Sequence, residues 1–82
     1  NENEKNALLQ LISLLEKNSD PEIIQSEVFD IAKKNNIKPR LFFQLIYRIL
    51  LGSDKGPRLG KYIIDADKTT IITKLKALIT KS

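Results

Sequence analysis

The sequence predicts an all-α protein, a compact bundle of about five helices of which four are longer and one is short. Three observations predict this fold class. Apolar residues recur at helical spacing in four segments, connections of two to six residues rich in Asn, Gly or Pro separate them, and no segment alternates apolar and polar residues as a half-buried strand would. The 82 residues suffice for one small domain, so we treat residues 1–82 as a single domain.

The first two helices each carry one apolar stripe. The first is predicted over residues 5–17, with its stripe at Leu8, Leu11, Ile12 and Leu15. The second is predicted from Pro21 to about Asn35. Its stripe consists of Ile24, Val28, Ile31 and Ala32, widened by Ile23 and Phe29.

Both ends of the second helix carry a sequence signal. Asp20 can cap the first turn with its side chain. Pro21 then occupies the first helical position, where a missing N–H has no cost. Alternatively, Ser19 and Glu22 form a capping box one residue earlier. At the other end, Lys33 and Lys34 complement the negative pole of the helix dipole, so we interpret both as structural.

The third helix is predicted over residues 40–51, where nine of twelve residues are apolar. Such a helix is buried on most of its circumference, so we expect it to be central. Its polar residues follow one line along the helix at four-residue spacing: Arg40, Gln44 and Arg48. Phe43 and Tyr47 run beside that line. Arginines beside aromatic rings can grip phosphates and stack on unpaired bases; alternatively, the line is the solvent face and both rings belong to the core.

A joint rich in glycine and proline follows the third helix. Gly52 is predicted to end that helix with a positive φ, and residues 53–56 are predicted to form a turn. Pro57 is predicted to begin a short fourth helix over residues 57–64. The structural residues of this joint are Gly52, Gly56, Pro57 and Gly60.

Two residues of the short helix are unusual for their positions. Arg58 falls in the first turn, where the dipole disfavours a cation, and this predicts a compensating partner, either a buried carboxylate or an external phosphate. Gly60 inside a helix costs about 1 kcal/mol relative to alanine, and this predicts close approach of another backbone or of a ligand. Asp65-Ala66-Asp67 then breaks and recaps the chain. The last helix is predicted over residues 68–80, with its stripe at Ile71, Ile72, Leu75, Leu78 and Ile79.

Composition excludes most catalytic chemistry. The chain has no cysteine and no histidine, so it lacks the commonest general base, the commonest metal ligand and any thiolate site. Asp65 and Asp67 are explained by capping and lack the further oxygen ligands of a cation site. We therefore predict no catalytic, metal or cofactor site in this chain. No apolar run approaches the roughly 20 residues that span a bilayer, so no membrane contact is predicted.

Charge is segregated along the chain. Residues 1–32 carry a net charge of −5, and residues 33–82 carry a net charge of +9. The basic half predicts an anionic partner, with nucleic acid the first candidate. The alternative is a solvated lysine-rich surface. The sequence begins with Asn and contains no methionine, so we expect it to be a piece of a longer chain.

The residues YRILLGSDKGPRLGKYI, at positions 47–63, resemble the C-terminal signature of class I lysyl-tRNA synthetases. EVFDIAKKNNI, at positions 27–37, resembles the segment that precedes this signature. The resemblance covers roughly residues 19–80. The related glutamyl-tRNA synthetases have a similar element, but Leu51 before the first glycine and Arg58 after the proline favour the lysyl class. This sequence has Ala66-Asp67 where the glutamyl enzymes tend to have Leu-Gly.

The resemblance implies the helical-cage fold of these synthetases and a non-catalytic, tRNA-binding role in anticodon recognition. The implied parent is a cytoplasmic, ATP-dependent lysine–tRNA ligase, and the implied partners are lysine tRNA and the catalytic body of the same synthetase. Our own hypothesis from the residues is that five cations contact phosphates, namely Arg40, Arg48, Lys55, Arg58 and Lys61, and that Phe43 or Tyr47 is available for base stacking. The alternatives are the corresponding glutamyl-tRNA synthetase domain and a helical protein-interaction domain without RNA binding. A DNA-binding helix-turn-helix is disfavoured, because the helix that would enter the groove is too apolar or too short.

Overall fold

The computed structural model describes residues 2–81, and these form five α-helices and no strand. The helices are α1 (Glu2–Lys17), α2 (Pro21–Lys34), α3 (Pro39–Leu51), α4 (Leu59–Asp65) and α5 (Lys68–Lys81). The all-α prediction, with four longer helices and one short, is confirmed. α1 begins three residues earlier than predicted, and the acidic residues of its added turn are favourable at a helix N-terminus.

The helices surround one apolar core. α2 packs against α1, α3 and α4, and α5 packs against the same three helices. No polar or charged residue among those described is buried. The largest fully buried side chains are Phe42, Leu11, Leu15, Ile24, Ile46, Leu59, Ile63, Ile71 and Leu75.

The start of α2 follows the first of the two predicted arrangements. The Asp20 carboxylate accepts the backbone N–H of Glu22 at 2.9 Å and that of Ile23 at 3.5 Å. The Ser19 hydroxyl instead contacts the ammonium group of Lys68, at 2.9 Å. The capping-box alternative is therefore wrong, because the Ser19 side chain ties the α1–α2 connection to α5.

The expectation that α3 is the central helix is wrong. Only Phe42, Ile46 and Leu50 of α3 are buried, and Leu41 is 53% exposed. The central position belongs to α2. A domain of this size has too few helices to cover a second face of α3, so part of its apolar surface remains exposed.

Three other side chains that the helical periodicity assigned to the apolar stripes are exposed. Ile23, Phe29 and Leu78 are each more than two-fifths exposed. The narrower stripes of α1 and α2 are buried as predicted. The apolar pattern therefore identified the buried face of each helix but overestimated its width.

The joint after α3 differs in part from its prediction. Gly52 ends α3 with φ of +71°, as predicted. The short helix begins at Leu59 rather than at Pro57. The Pro57 carbonyl accepts a hydrogen bond from the Tyr47 hydroxyl at 2.5 Å, and this bond holds the proline in the loop. Arg58 is consequently the N-cap residue of α4 and lies before its first turn.

Gly60 lies where the backbones of α4 and α2 meet, which confirms the predicted close approach. A Cβ atom at this position would be 2.1 Å from the Pro21 carbonyl oxygen. The Gly60 N–H donates to the Gln25 side chain at 2.9 Å. This contact fixes the position of the whole joint relative to α2.

The connection between α4 and α5 breaks and recaps the chain as predicted. Asp67 has φ of +74°, and its carboxylate accepts the Thr69 N–H at 3.2 Å and the Thr70 hydroxyl at 3.3 Å. Within residues 2–81, no helix is both long enough and apolar enough to cross a membrane.

Gly60→Ala is expected to lower the free energy of unfolding by about 3 kcal/mol, because the new methyl group meets a backbone oxygen and not a flexible side chain. Helix propensity alone predicts a gain of about 1 kcal/mol. Urea unfolding followed by circular dichroism measures the change. Gly52→Ala is the control, since a Cβ atom at Gly52 has no other atom within 4 Å. The positive φ of this residue should lower the free energy of unfolding by only about 1–2 kcal/mol. A Gly60→Ala variant as stable as the parent would contradict the backbone contact.

Candidate nucleic-acid interface

The seven residues predicted to contact RNA come from three neighbouring pieces of the fold. Arg40, Phe43, Tyr47 and Arg48 belong to α3, Lys55 and Arg58 to the α3–α4 connection, and Lys61 to α4. The hydrogen bond from Tyr47 to the loop proline brings the second half of α3 against this connection. The part of α3 that carries Tyr47 and Arg48 therefore lies against the connection that carries Lys55 and Arg58.

Arg48 is already paired within the joint. Its guanidinium donates a hydrogen bond to the Asp54 carboxylate, and both side chains are exposed. This hydrogen bond, together with the charge of the guanidinium, lowers the pKa of Asp54 below that of an ordinary aspartate. The same contact raises the pKa of Arg48. The ion pair links the last turn of α3 to the loop that leaves it.

Arg58 has the compensating partner that its position predicted, although that partner is not buried. Its guanidinium contacts both carboxylate oxygens of Glu22, at 3.0 and 3.3 Å. The Glu22 side chain is exposed, so the prediction of a buried carboxylate is wrong. Glu22 lies in the first turn of α2, where an acid is favourable, so one carboxylate serves both the α2 dipole and the guanidinium.

The two lysines of the predicted set have different surroundings. Lys61 lies 3.7 Å from Asp65, one turn further along α4. Lys55 is exposed, and its backbone N–H and carbonyl are both hydrogen-bonded to the Ser53 hydroxyl, at 3.2 and 2.9 Å. Its side chain forms no ion pair within the described residues, so it remains accessible to an anion.

The structure shows both aromatic side chains half-buried, packed in part against the core, so the alternative that places both rings in the core holds only in part. Phe43 is half-buried, and its ring packs against Phe29 with the centroids 4.9 Å apart and the planes at 58°. Tyr47 is also half-buried; burial raises the pKa of its hydroxyl, which therefore stays protonated and donates to the loop. Neither ring belongs to the fully buried core. Tyr47 has a structural role, whereas Phe43 lies at a partly exposed aromatic surface.

Folding brings the acidic and basic halves of the sequence into contact. Besides the Arg58 pair, Lys76 of α5 lies 3.1 Å from Glu16 of α1. Lys68 contacts the Asn18 carbonyl at 3.1 Å as well as the neighbouring serine hydroxyl. Part of the segregated charge is therefore neutralised within the domain and does not form a separate basic surface.

Sequence reasoning missed part of the remaining cationic surface. Lys33 and Lys38 are exposed near Arg40, and within the described residues these three form no ion pair. The signal was present in the sequence, because residues 33–40, KKNNIKPR, contain four bases and no acid. The helix-dipole interpretation of the first two lysines concealed it.

The polar groups of this surface are exposed, and a sizeable groove lies elsewhere. Across residues 2–81, no group of three potential ligands could hold a metal ion, and every buried polar side-chain atom has a hydrogen-bond partner. An open groove of about 560 Å³ lies between α1, α3 and α5. Its lining is mainly apolar and includes Leu8, Leu45, Ile49 and Leu78.

The fold and this surface together define a small, all-helical domain with partly exposed aromatic rings and a set of exposed cations. We call these cations the basic face: Arg40, Arg48, Lys55, Arg58 and Lys61. The sequence of this domain is similar to segments of lysine–tRNA ligases. It is 43% identical over 65 residues to the ligase of Borreliella burgdorferi, covering 76% of this chain and 12% of the relative. It is 34% identical over 70 residues to the Haloarcula marismortui ligase, covering 85% of this chain and 13% of the relative. It is 27% identical over 74 residues to the Pyrococcus furiosus ligase, covering 88% of this chain and 14% of the relative.

The chain thus has homologues among the lysine–tRNA ligases, and it spans only about an eighth of their length. The predicted link to an aminoacyl-tRNA synthetase is confirmed at this level. No protein-family model and no solved structure matches the chain.

Replacement of Arg48 by glutamine is expected to raise the pKa of Asp54 toward that of an ordinary aspartate, because the hydrogen bond and the charge that favour the carboxylate are lost. A lowered pKa means that the pair stabilises the folded state above the ordinary aspartate pKa and that this contribution is lost as pH falls. Carboxyl NMR shifts across an acid titration measure it. Lys61→Gln should leave Asp54 unchanged, and equal values in the parent and Arg48→Gln would contradict the pair.

Proposed function

We infer that the chain is a tRNA-binding domain of a class I lysine–tRNA ligase and that it contributes to recognition of the anticodon of lysine tRNA. The observation that carries this proposal is the 43% identity to a lysine–tRNA ligase over 65 residues. The chain spans an eighth of such relatives, so ATP-dependent attachment of lysine belongs to a catalytic body elsewhere in a longer, cytoplasmic protein. In this proposal the five helices are the C-terminal helical cage of that protein.

The chemistry of the surface supports a binding role without catalysis. The sequence lacks histidine and cysteine, and the polar groups of the joint are exposed cations and their carboxylate partners. Exposed ion pairs contribute little to stability, so exchanging a carboxylate for a phosphate has a small energetic cost. Arg48, Arg58 and Lys61 can therefore move from their acidic partners to RNA phosphates. Arg40 and Lys55 need no such exchange.

A second candidate function is protein interaction without RNA binding. The observation that favours it is the apolar groove between α1, α3 and α5, into which the partly exposed Leu78 projects. Such a groove is suited to an apolar partner surface, including the body of a synthetase. In that case the basic face is only a solvated surface.

Arg58→Ala is expected to weaken the binding of lysine tRNA, because a contact to a phosphate is lost. The slope of log affinity against log salt concentration should fall by about 0.7–0.9 for one phosphate contact. Titration of tRNA in a gel-shift assay at several salt concentrations measures both quantities.

Lys76→Ala is the matched control for this substitution. Lys76 is also an exposed cation paired with an exposed carboxylate, but it lies on α5, away from the joint. It should retain the affinity and the salt dependence of the parent. Parental tRNA binding by a folded Arg58→Ala variant at every salt concentration would remove Arg58 from the interface. Failure of the parent to bind tRNA at low salt would favour the protein-interaction function.

A further inference from the structure

The corner between α2 and α3 carries a pair of aromatic rings: Phe29 is exposed, and Phe43 is half-buried and packs partly against the core. We define the α2–α3 corner as Phe29, Lys33, Lys38, Arg40 and Phe43. Phe29 is 43% exposed although it lies in the middle of α2, the helix that packs against three others. Its ring packs against Phe43, so the two rings together span the seam between the helices. The other large exposed apolar side chains of the described residues are aliphatic.

Cations border this pair of rings. Lys33 follows Phe29 by four residues and lies one turn further along the same side of α2. Arg40 precedes Phe43 by three residues on α3, and Lys38 immediately precedes that helix. All three cations are exposed. Asp30, next to Phe29, is the only acid in residues 29–53 of the sequence, and within the described residues no ion pair joins it to these cations.

Local helix stability does not account for all of these cations. Lys33 is favourable at the C-terminal end of α2, but Lys38 and Arg40 lie at the start of α3, where the helix dipole disfavours positive charge. The first turn of α3 contains no acid that would offset them. Arg58, another cation at a helix start, has a carboxylate partner within the domain. Lys33, Lys38 and Arg40 form no ion pair among residues 2–81, and this leaves them for an external anion.

We propose that the α2–α3 corner binds an unpaired RNA nucleotide, with the base on the Phe29 ring and the adjoining phosphates against Lys33, Lys38 and Arg40. The inference rests on the proposed tRNA-binding function and adds where an unpaired base is held. It shifts the main stacking residue to Phe29, because this ring is exposed whereas Phe43 and Tyr47 are half-buried. Every base has a π-face, so stacking on one exposed ring tolerates different sequences.

A nucleotide fits this corner better than an acidic protein segment does. Carboxylates of a peptide would pair with the three cations but would leave the aromatic surface without a flat partner. A nucleotide supplies a π-surface and a phosphate within one unit, and it matches the alternation of ring and cation. All three cations lie on the side of the rings that faces the α2–α3 connection, so a phosphate next to a stacked base has a partner at that end.

The test compares two RNA probes of equal length: a stem-loop with an unpaired loop and a fully paired duplex. The parent should bind the stem-loop more tightly than the duplex. Phe29→Leu should weaken binding of the stem-loop by about 5- to 150-fold, the range for losing one stacked base, and should leave duplex binding unchanged. Phe29→Tyr, which keeps the ring, should bind the stem-loop like the parent.

Substitutions of the cations test the phosphate contacts. Lys33→Ala, Lys38→Ala and Arg40→Ala should each lower the salt slope of stem-loop binding by about 0.7. Lys34→Ala is the matched control for charge: it is the next residue on α2, but it lines a groove with Glu27 on the side of α1. Ile23→Ala is the control for an exposed apolar side chain of α2, at 45% exposure. Both controls should match the parent.

The outcomes separate this proposal from the proposed function. If the parent binds neither lysine tRNA nor the stem-loop, both are wrong. If the parent binds both RNAs and folded Phe29→Leu binds the stem-loop as tightly, the corner proposal alone is overturned. Equal effects of Lys33→Ala and Lys34→Ala would also overturn it. Competition by polyglutamate as strong as that by unlabelled stem-loop would mean that the corner binds acidic protein, and the proposal would fall.

Discussion

The close contact between α4 and α2 determines the geometry of the basic face. A glycine at position 60 lets the α4 backbone lie against the Pro21 carbonyl, and any larger residue would push the helices apart. The Gln25 side chain satisfies the Gly60 N–H that this approach would otherwise bury. With α4 held in this position, Arg58 reaches Glu22 at the start of α2. The loop before α4 is thereby anchored to the central helix, although it has no regular secondary structure of its own.

Local signals in the sequence were sufficient for the outline of the fold. Helical spacing gave the buried face of each long helix, and the Asp20 cap, the Gly52 stop and the recapping at Asp67 gave most of the boundaries. Two features depended on tertiary contacts and could not be read from local patterns. The start of α4 is delayed because the Tyr47 hydroxyl holds Pro57 in the loop. The exposure of α3 depends on how few helices are available to cover it.

The exposure of the candidate cations was predictable from the sequence, but their ion pairs were not. The spacing of the α3 residues correctly placed Arg48 on the surface, but the sequence did not show that Asp54 would pair with it. The net charge of each half of the sequence also does not show which charges are paired in the fold. Acids and bases that are far apart in sequence, such as Glu16 and Lys76, meet across the bundle. The sequence shows the run of bases at residues 33–40, but only the three-dimensional structure shows that Lys33, Lys38 and Arg40 form no ion pair within the described residues.

The exposed ion pairs of the joint have a consequence for selectivity among anions. An anion that reaches Arg48 or Arg58 replaces a carboxylate already held there, so the number of charge–charge contacts does not rise. Chloride or a free phosphate monoester gains little from this exchange, because the displaced acid stays tethered and returns. A polymer that presents several phosphates at fixed spacing displaces the acids together and holds its own charges at high local concentration. Built-in counterions of this kind make the surface respond to the length of an anion and only weakly to its charge alone.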